Sequence, residues 1–270
     1  MLFLSSMRMF FYMKQKKNQR PKFKKEQKNR IQASLFGTHA VCEALQNPAR
    51  KLKKLYATPQ ALDQLAEKKI KSSVPSQIVD KNDLDRSFPP NTVHQGLALD
   101  CEPLDDVMLQ DLIISAGRHG KSVLLMLDQV TDPHNVGAIL RSACAFGVDG
   151  IIMQKKHAPE LTGALAKIAC GAVEHVPVAY ETNLTRTLES LQEAGFFAVG
   201  LDERGEQNIN EFKAPDKCVL VLGAEGPGIR RLVKEQCDSL VRLPMHGPMP
   251  SINVSNAAAI ALYAVTCRNS

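Results

Sequence analysis

The sequence predicts an α/β protein: a parallel sheet with helices on both faces in the C-terminal half, preceded by a smaller α/β domain. Two observations carry this expectation. From Ser122 onward, the runs SVLLMLD, GIIMQ, VPVAY and CVLVLG are apolar almost without interruption, as strands buried on both faces must be. Between them lie segments whose apolar residues recur every three or four positions, and strands alternating with helices imply parallel crossover connections. The 270 residues are 44% hydrophobic and 23% charged. That balance is ordinary for a globular chain long enough for one large or two modest domains, and it excludes a fibrous or wholly disordered protein.

The elements follow in order. In SLFGTHAVCEAL, Val41, Ala44 and Leu45 fall at helical spacing, and KLKKLYAT reads as a short strand. ALDQLAEKKI, a second strand around SQIVD, DLDRSF and the apolar HQGLALD complete a small domain ending near Asp100. His39 and His94 stand alone there and are expected to be packed or capping residues. DDVMLQDLIISA is a linker helix. Beyond the first strand come the helix PHNVGAILRSACAFG, strand GIIMQ, helix ALAKIA, strand VPVAY, helix LTRTLESLQEAG and strand FFAVGLD. Strand CVLVLG, helix IRRLVKEQC, strand LVRLPM and helix NAAAIALYAV close the chain. The expected domains are 31–103 and 122–270, joined by a linker at 104–121.

The net charge of +6 is concentrated at the start. Residues 1–30 hold ten Lys and Arg against Glu26 alone, so the remainder is net negative. Such a run cannot bury enough apolar surface to fold, and it suits contact with a polyanion, nucleic acid foremost. The preceding MLFLSSMRMFFYM is too short to span a bilayer and lacks a small-residue cleavage site. It reads as a dispensable or mis-assigned start, and no membrane partner is expected. Seven scattered cysteines, none in CxxC or in metal-ligand spacing with His, read as reduced, mostly core thiols of a cytoplasmic protein with no bound metal.

Three stretches carry the chemistry. In LDQVTDPHNVGAILRSACAFG, Asp132 and Pro133 form a helix start and Gly147 a stop. Val136, Ile139, Leu140 and Ala143 make the buried stripe, with Arg141 roughly opposite. Asn135 and Gly137 lie in the first turn, at the strand edge where open α/β sheets bind ligands. In VLVLGAEGPGIRRLV, Gly223, Gly226 and Gly228 form a loop whose glycines let the backbone come close to a ligand and supply positive φ. Its GxxGxG order, late position and missing acidic partner argue against a dinucleotide site, and HGKS at 119–122 lacks the upstream glycine of a phosphate loop. Finally, LPMHGPMPSINVSNA carries Gly247, Pro248 and Pro250, then Ser251, Asn253 and Ser255, before an Ala-rich helix. One polar residue suffices for a cap, so the surplus points to a site.

In this order and spacing, NVGAILRSA, VLGAEGPG and LPMHGPMPSINVSNA, with ACGAVEHVPV between the first two, resemble the SpoU family of RNA ribose 2′-O-methyltransferases, within the SPOUT class. The likeness is strong over 122–270. SLFGTHAV to HQGLALD resembles, more loosely, the family's ribosomal-protein-like RNA-binding domain. Leu243 and Ile252 depart mildly, standing where Ile and Leu are usual. The resemblance implies a C-terminal deep trefoil knot that cradles S-adenosylmethionine largely by backbone groups at Leu222, Gly223, Leu243 and Ile252, with Met245 and Gly226 nearby. It implies Arg141 as the essential residue, assigned to the proton, and Asn135, Glu225, Ser251 and Asn253 as the polar site. It further implies ribosomal RNA as partner, a homodimer formed through the knot, and a guanosine ribose of large-subunit RNA as acceptor. The competing readings are a tRNA ribose methyltransferase, a non-catalytic RNA-binding module and a dinucleotide-dependent enzyme.

Overall fold

A computed structural model describes residues 31–117 and 120–267. The basic stretch expected at 1–30 lies outside the described residues. Two sheets form among those described. The first contains β1 (Leu35–Phe36), β2 (Leu52–Ala57), β3 (Ser76–Ile78) and β4 (Leu97–Cys101) in the order β1-β4-β2-β3. Only β2 and β3 are parallel. Helices α1 (Thr38–Gln46), α2 (Pro59–Glu67) and α3 (Lys81–Ser87) connect them. The start of α2 is written in the chain: Thr58 accepts from the Ala61 amide at 3.3 Å, and Pro59 supplies a pre-set φ at the first helical position.

The second sheet holds β5 (Ser122–Asp128), β6 (Gly150–Gln154), β7 (Val178–Glu181), β8 (Phe197–Leu201), β9 (Gln207–Asn208), β10 (Lys217–Gly223) and β11 (Ser239–Arg242). Its order is β7-β6-β5-β10-β8-β11-β9, and every pairing is parallel. Strand alternation sorts the core into two layers. Leu125, Leu127, Cys218, Leu220 and Leu222 pack with α5 (Pro133–Ala145), α6 (Gly163–Ile168) and α9 (Val254–Thr266). Leu124, Met126, Val219 and Val221 face α4 (Leu109–Ala116), α7 (Leu184–Glu193) and α8 (Arg231–Glu235). The doubly covered parallel sheet expected from the apolar runs is therefore present.

The α5 layer continues into the first sheet through Leu35, Val41, Leu55, Leu97 and Leu99. Polar contacts hold this seam. The Gly163 amide donates to the Ser34 carbonyl at 2.8 Å, and the Arg50 Nε donates to Glu174 Oε2 at 3.1 Å with both side chains almost fully buried. His94 is not alone: its Nε2 lies 2.9 Å from Asp85 Oδ1, and its Nδ1 accepts from the Gly96 amide at 3.1 Å.

Several elements differ from the expectation at their ends. The linker helix begins only at Leu109, IRRLVKEQC yields a five-residue helix, and LVRLPM stops at Arg242. Residues 243–253 leave the sheet because they build the loop described next. Gly137 does not face a ligand edge. It is buried, and a Cβ there would lie 2.9 Å from the Leu165 carbonyl oxygen, so glycine is needed for close packing of α5 on α6. The seven cysteines are free: Cys42, Cys101 and Cys218 are buried, Cys144, Cys170 and Cys237 partly so, and Cys267 is exposed. Burial pushes the Cys218 and Cys237 thiols up to about 12, with neighbouring carboxylates adding to the effect at Cys237, which makes both poor nucleophiles.

Candidate active site

The three chemistry-bearing stretches meet at the C-terminal edge of the parallel sheet. Asp132 caps α5 by accepting from the His134 amide at 3.1 Å, and this places Asn135 in the first turn. Asn253 caps α9, its Oδ1 accepting from the Ser255 amide at 2.8 Å. Its Nδ2 is left free to point elsewhere. It donates to Glu225 Oε1 at 2.6 Å and to Asn135 Oδ1 at 2.9 Å. Glu225 Oε1 also accepts from the Val254 amide at 3.2 Å and from Asn135 Nδ2 at 3.3 Å. One carboxylate thus ties the α5 start, the glycine loop and the α9 start into a single node. Hydrogen bonds to an ionised acceptor are the stronger kind.

The loop presenting Glu225 is held from both ends. A Cβ at Gly223 would overlap the carbonyl carbon of Gly228, so the loop closes on itself where β10 ends. Gly226 (φ +83°) and Gly228 (φ +69°) occupy left-handed backbone, and the Gly228 amide returns to the Ala224 carbonyl at 2.9 Å. At the loop's exit, Arg230 donates through Nε to Asp128 Oδ1 at 2.7 Å and through its amide to Oδ2 at 2.8 Å. Asp128 is fully buried at the end of β5, opposite Gly223 in register.

Two cavities of 510 and 630 Å³ adjoin the node. They share Leu201, Asp202, Glu203, Ser251, Ile252 and Ala257 as walls. Leu243 and Met245 line the first; Leu222, Gly223 and Gly226 line the second. Leu222 buries its side chain in the core, so it offers the cavity its backbone. Met245 and Ile252 are 39% and 36% exposed, leaving apolar surface for a ligand to cover. Ser251 lies in both walls but outside the node. Asp202 sits beneath, bonded to Lys234. Burial raises its carboxyl, but hydrogen bonds from Lys234 and the Arg204 amide, with the charges of both side chains, bring it below the ordinary value.

Arg141 does not join the node. It is exposed on α5, and among the described residues it makes no hydrogen bond or ion pair. Asp128, Asp202 and Lys234 went unread in the sequence. The signal for the two aspartates was available: SVLLMLD and FFAVGLD each end an apolar strand on a carboxylate, where the sheet edge faces ligands.

The SpoU rRNA Methylase family matches residues 122–263, and the family described as RNA 2'-O ribose methyltransferase substrate binding matches 34–107. Among curated relatives, the 23S rRNA (guanosine-2'-O-)-methyltransferase RlmB of Coxiella burnetii is 39% identical over 86% of this chain and 94% of its own. The RlmB of Vibrio cholerae is 38% identical over 85% and 94%. A solved structure of the SpoU methyltransferase AviRb from Streptomyces viridochromogenes, in complex with AdoMet, superposes with a TM-score of 0.71 at 22% identity, covering 87% of this chain and 89% of that one; at that identity the likeness speaks for the fold. With its node, glycine loop and C-terminal loop built from the stretches that the profile spans, the chain belongs to the SpoU rRNA methylase family.

Proposed function

We propose that the chain transfers a methyl group from S-adenosylmethionine to the ribose 2′-hydroxyl of a guanosine in large-subunit (23S) ribosomal RNA. The Asn135–Glu225–Asn253 node beside two adjoining cavities carries this reading. Their volumes suit a nucleoside-sized cofactor. Backbone at Leu222, Gly223 and Leu243, flanked by Gly226, Met245 and Ile252, would hold it. When bound, S-adenosylmethionine supplies an electrophilic methyl on a sulfonium.

The rest falls to the chain. Glu225 and Asn253 fix the loops so that the ribose hydroxyl is aligned for in-line attack, with Asn135 and Ser251 as polar neighbours. Arg141 is a cation with no ion pair among the described residues, on the helix that carries Asn135. A guanidinium stays charged at any accessible pH. Its role is to grip phosphate and stabilise the developing alkoxide, while the hydroxyl proton passes to water rather than to the guanidinium.

The same reading assigns RNA binding to residues 31–103, the linker to 104–121 and methyl transfer to 122–270. It places the enzyme in the cytoplasm, where ribosomal RNA is found; no helix among the described residues is long and apolar enough to cross a membrane. It takes residues 243–253 as knotted. This is supported by the course of that segment, which lines a cavity with the loops after β8 and β10 before α9 packs on α5. It also takes the protein as a homodimer, the exposed Ile260 and Tyr263 of α9 being the covered face.

The test is methyl transfer from tritiated S-adenosylmethionine to 23S RNA and tRNA transcripts, followed by digestion to nucleosides. Label in 2′-O-methylguanosine from 23S RNA is expected. Label only in tRNA would move the acceptor, and label in neither would overturn the reading. Arg141→Lys should lose most turnover, keep cofactor binding and show no new pH dependence. A lysine variant whose single-turnover rate climbs with pH would instead make this position the proton acceptor.

A further inference from the structure

The loop after β6 holds three basic or ionisable residues in a row, Lys155, Lys156 and His157, all exposed. It leaves the sheet at the same C-terminal edge as the node, because β6 lies beside β5, whose chain runs on into α5. Among the described residues none of the three side chains has an ion-pair partner. Lys51, Lys53 and Arg231 are exposed but paired, with Asp105, Glu102 and Glu235, whereas Lys155 and Lys156 stand unpaired among the described residues, side by side at the edge that carries the node. The loop then enters α6, whose Lys167 reaches back over Gly37 at the seam between the two sheets. A Cβ on Gly37 would lie 3.3 Å from both Lys167 Cγ and Gln95 Oε1.

Gln95 opens onto a groove of 1010 Å³ in the first sheet's domain. Its walls include the neutral hydrogen-bonding Thr58, Gln60, Gln64, Asn91 and Gln95 together with the charged Asp80, Lys81 and Asp85. This groove is built rather than incidental. Asn91 (φ +65°) and Gln95 (φ +55°) are held in left-handed backbone, Gln95 Oε1 accepts from the Thr38 amide at 2.9 Å, and buried His94 anchors the same loop between Asp85 and Gly96. Strain of this kind persists only where surrounding structure enforces it. Cations suit phosphates, whereas amides and hydroxyls suit the edges of unpaired bases and the ribose 2′-hydroxyl.

We propose that substrate RNA runs from the methylation site across Lys155 and Lys156, past Lys167 at the seam, and into the groove between Thr58–Gln64 and Asn91–Gln95. The lysines bind successive phosphates and the groove receives an unpaired nucleotide. This path rests on the RNA methyltransferase reading.

The full chain is titrated with a protein-free 23S RNA transcript at several salt concentrations, and KM for RNA and kcat are measured at saturating S-adenosylmethionine. Three variants are compared with wild type: K155A/K156A, Lys167→Ala and Gln64→Ala. Lys213→Ala, leading into the opposite edge of the sheet at β10, is the control. The two lysine variants should each weaken RNA binding and raise KM about tenfold, lower the salt slope by about one per contact removed, and leave kcat and cofactor binding unchanged. Gln64→Ala should weaken binding with no change in slope. Lysine variants indistinguishable from Lys213→Ala, or losing kcat at constant KM, would overturn the path. A wild type that binds the RNA but transfers no methyl would strike the methyltransferase reading instead, and the binding data would still decide the path.

Discussion

Asn253 serves structure with its oxygen and the site with its nitrogen, and the two uses can be separated. Asn253→Ala removes the cap of α9 and the link to Glu225, so it should cost about 1 kcal/mol of stability and most activity. Asn253→Ser restores a cap acceptor but not the amide donor. It should unfold near the wild-type urea midpoint yet remain as inactive as the alanine variant. An active serine variant would reduce Asn253 to a cap. Asp202 offers a pH test. The Lys234 and Arg204 contacts hold its folded carboxyl below the ordinary aspartate value, so its stabilisation is present in full above the unfolded value and is lost as pH falls through the lowered folded value. The difference in urea midpoint between wild type and Asp202→Asn should therefore be largest at neutral pH and shrink below about pH 4; a difference unchanged by acid would contradict the ion pair with Lys234.

The glycine loop shows what a motif reading captures and what it misses. The sequence placed Gly223, Gly226 and Gly228 between a strand and a helix, and the positive φ at the last two follows that expectation. The need for Gly223 lies within the protein, since its neighbour is the carbonyl of Gly228 rather than open cavity. Gly223→Ala should force backbone apart and lose about 1–3 kcal/mol or more, together with cofactor affinity measured by calorimetry. Unchanged affinity would mean that the loop does not shape the cavity. Strands β5, β6 and β10 were legible because burial on both faces leaves a continuous apolar run. The two-residue β1 and β9 were not, as neither spans a full period of alternation. Gly137 was misplaced because periodicity assigns a face but not the helix that packs there. The node's members were legible as motif residues, while their convergence is tertiary: Asn135 reaches Glu225 across 90 positions and Asn253 across 118.

In the chain as a whole, the described surface leaves one patch that the proposed assembly would cover. Ile260 and Tyr263 of α9 are 49% and 53% exposed, and Tyr263 meets Phe146 edge-on at 6.1 Å. Charged replacements, I260D and Y263R together, should convert a dimer in sedimentation to monomer; wild type sedimenting as monomer at micromolar concentration would remove the dimer. Arg50–Glu174 and Ser34–Gly163 hold the two sheets together at the seam, and the proposed RNA-binding and transferring halves meet there. Together these parts are proposed to methylate one ribose of ribosomal RNA. Mass mapping of 23S RNA from cells lacking this chain tests it most directly. One 2′-O-methylguanosine should disappear, return with the wild-type chain, and stay absent with Arg141→Ala. An unchanged set of ribose methylations, or full restoration by Arg141→Ala, would contradict it.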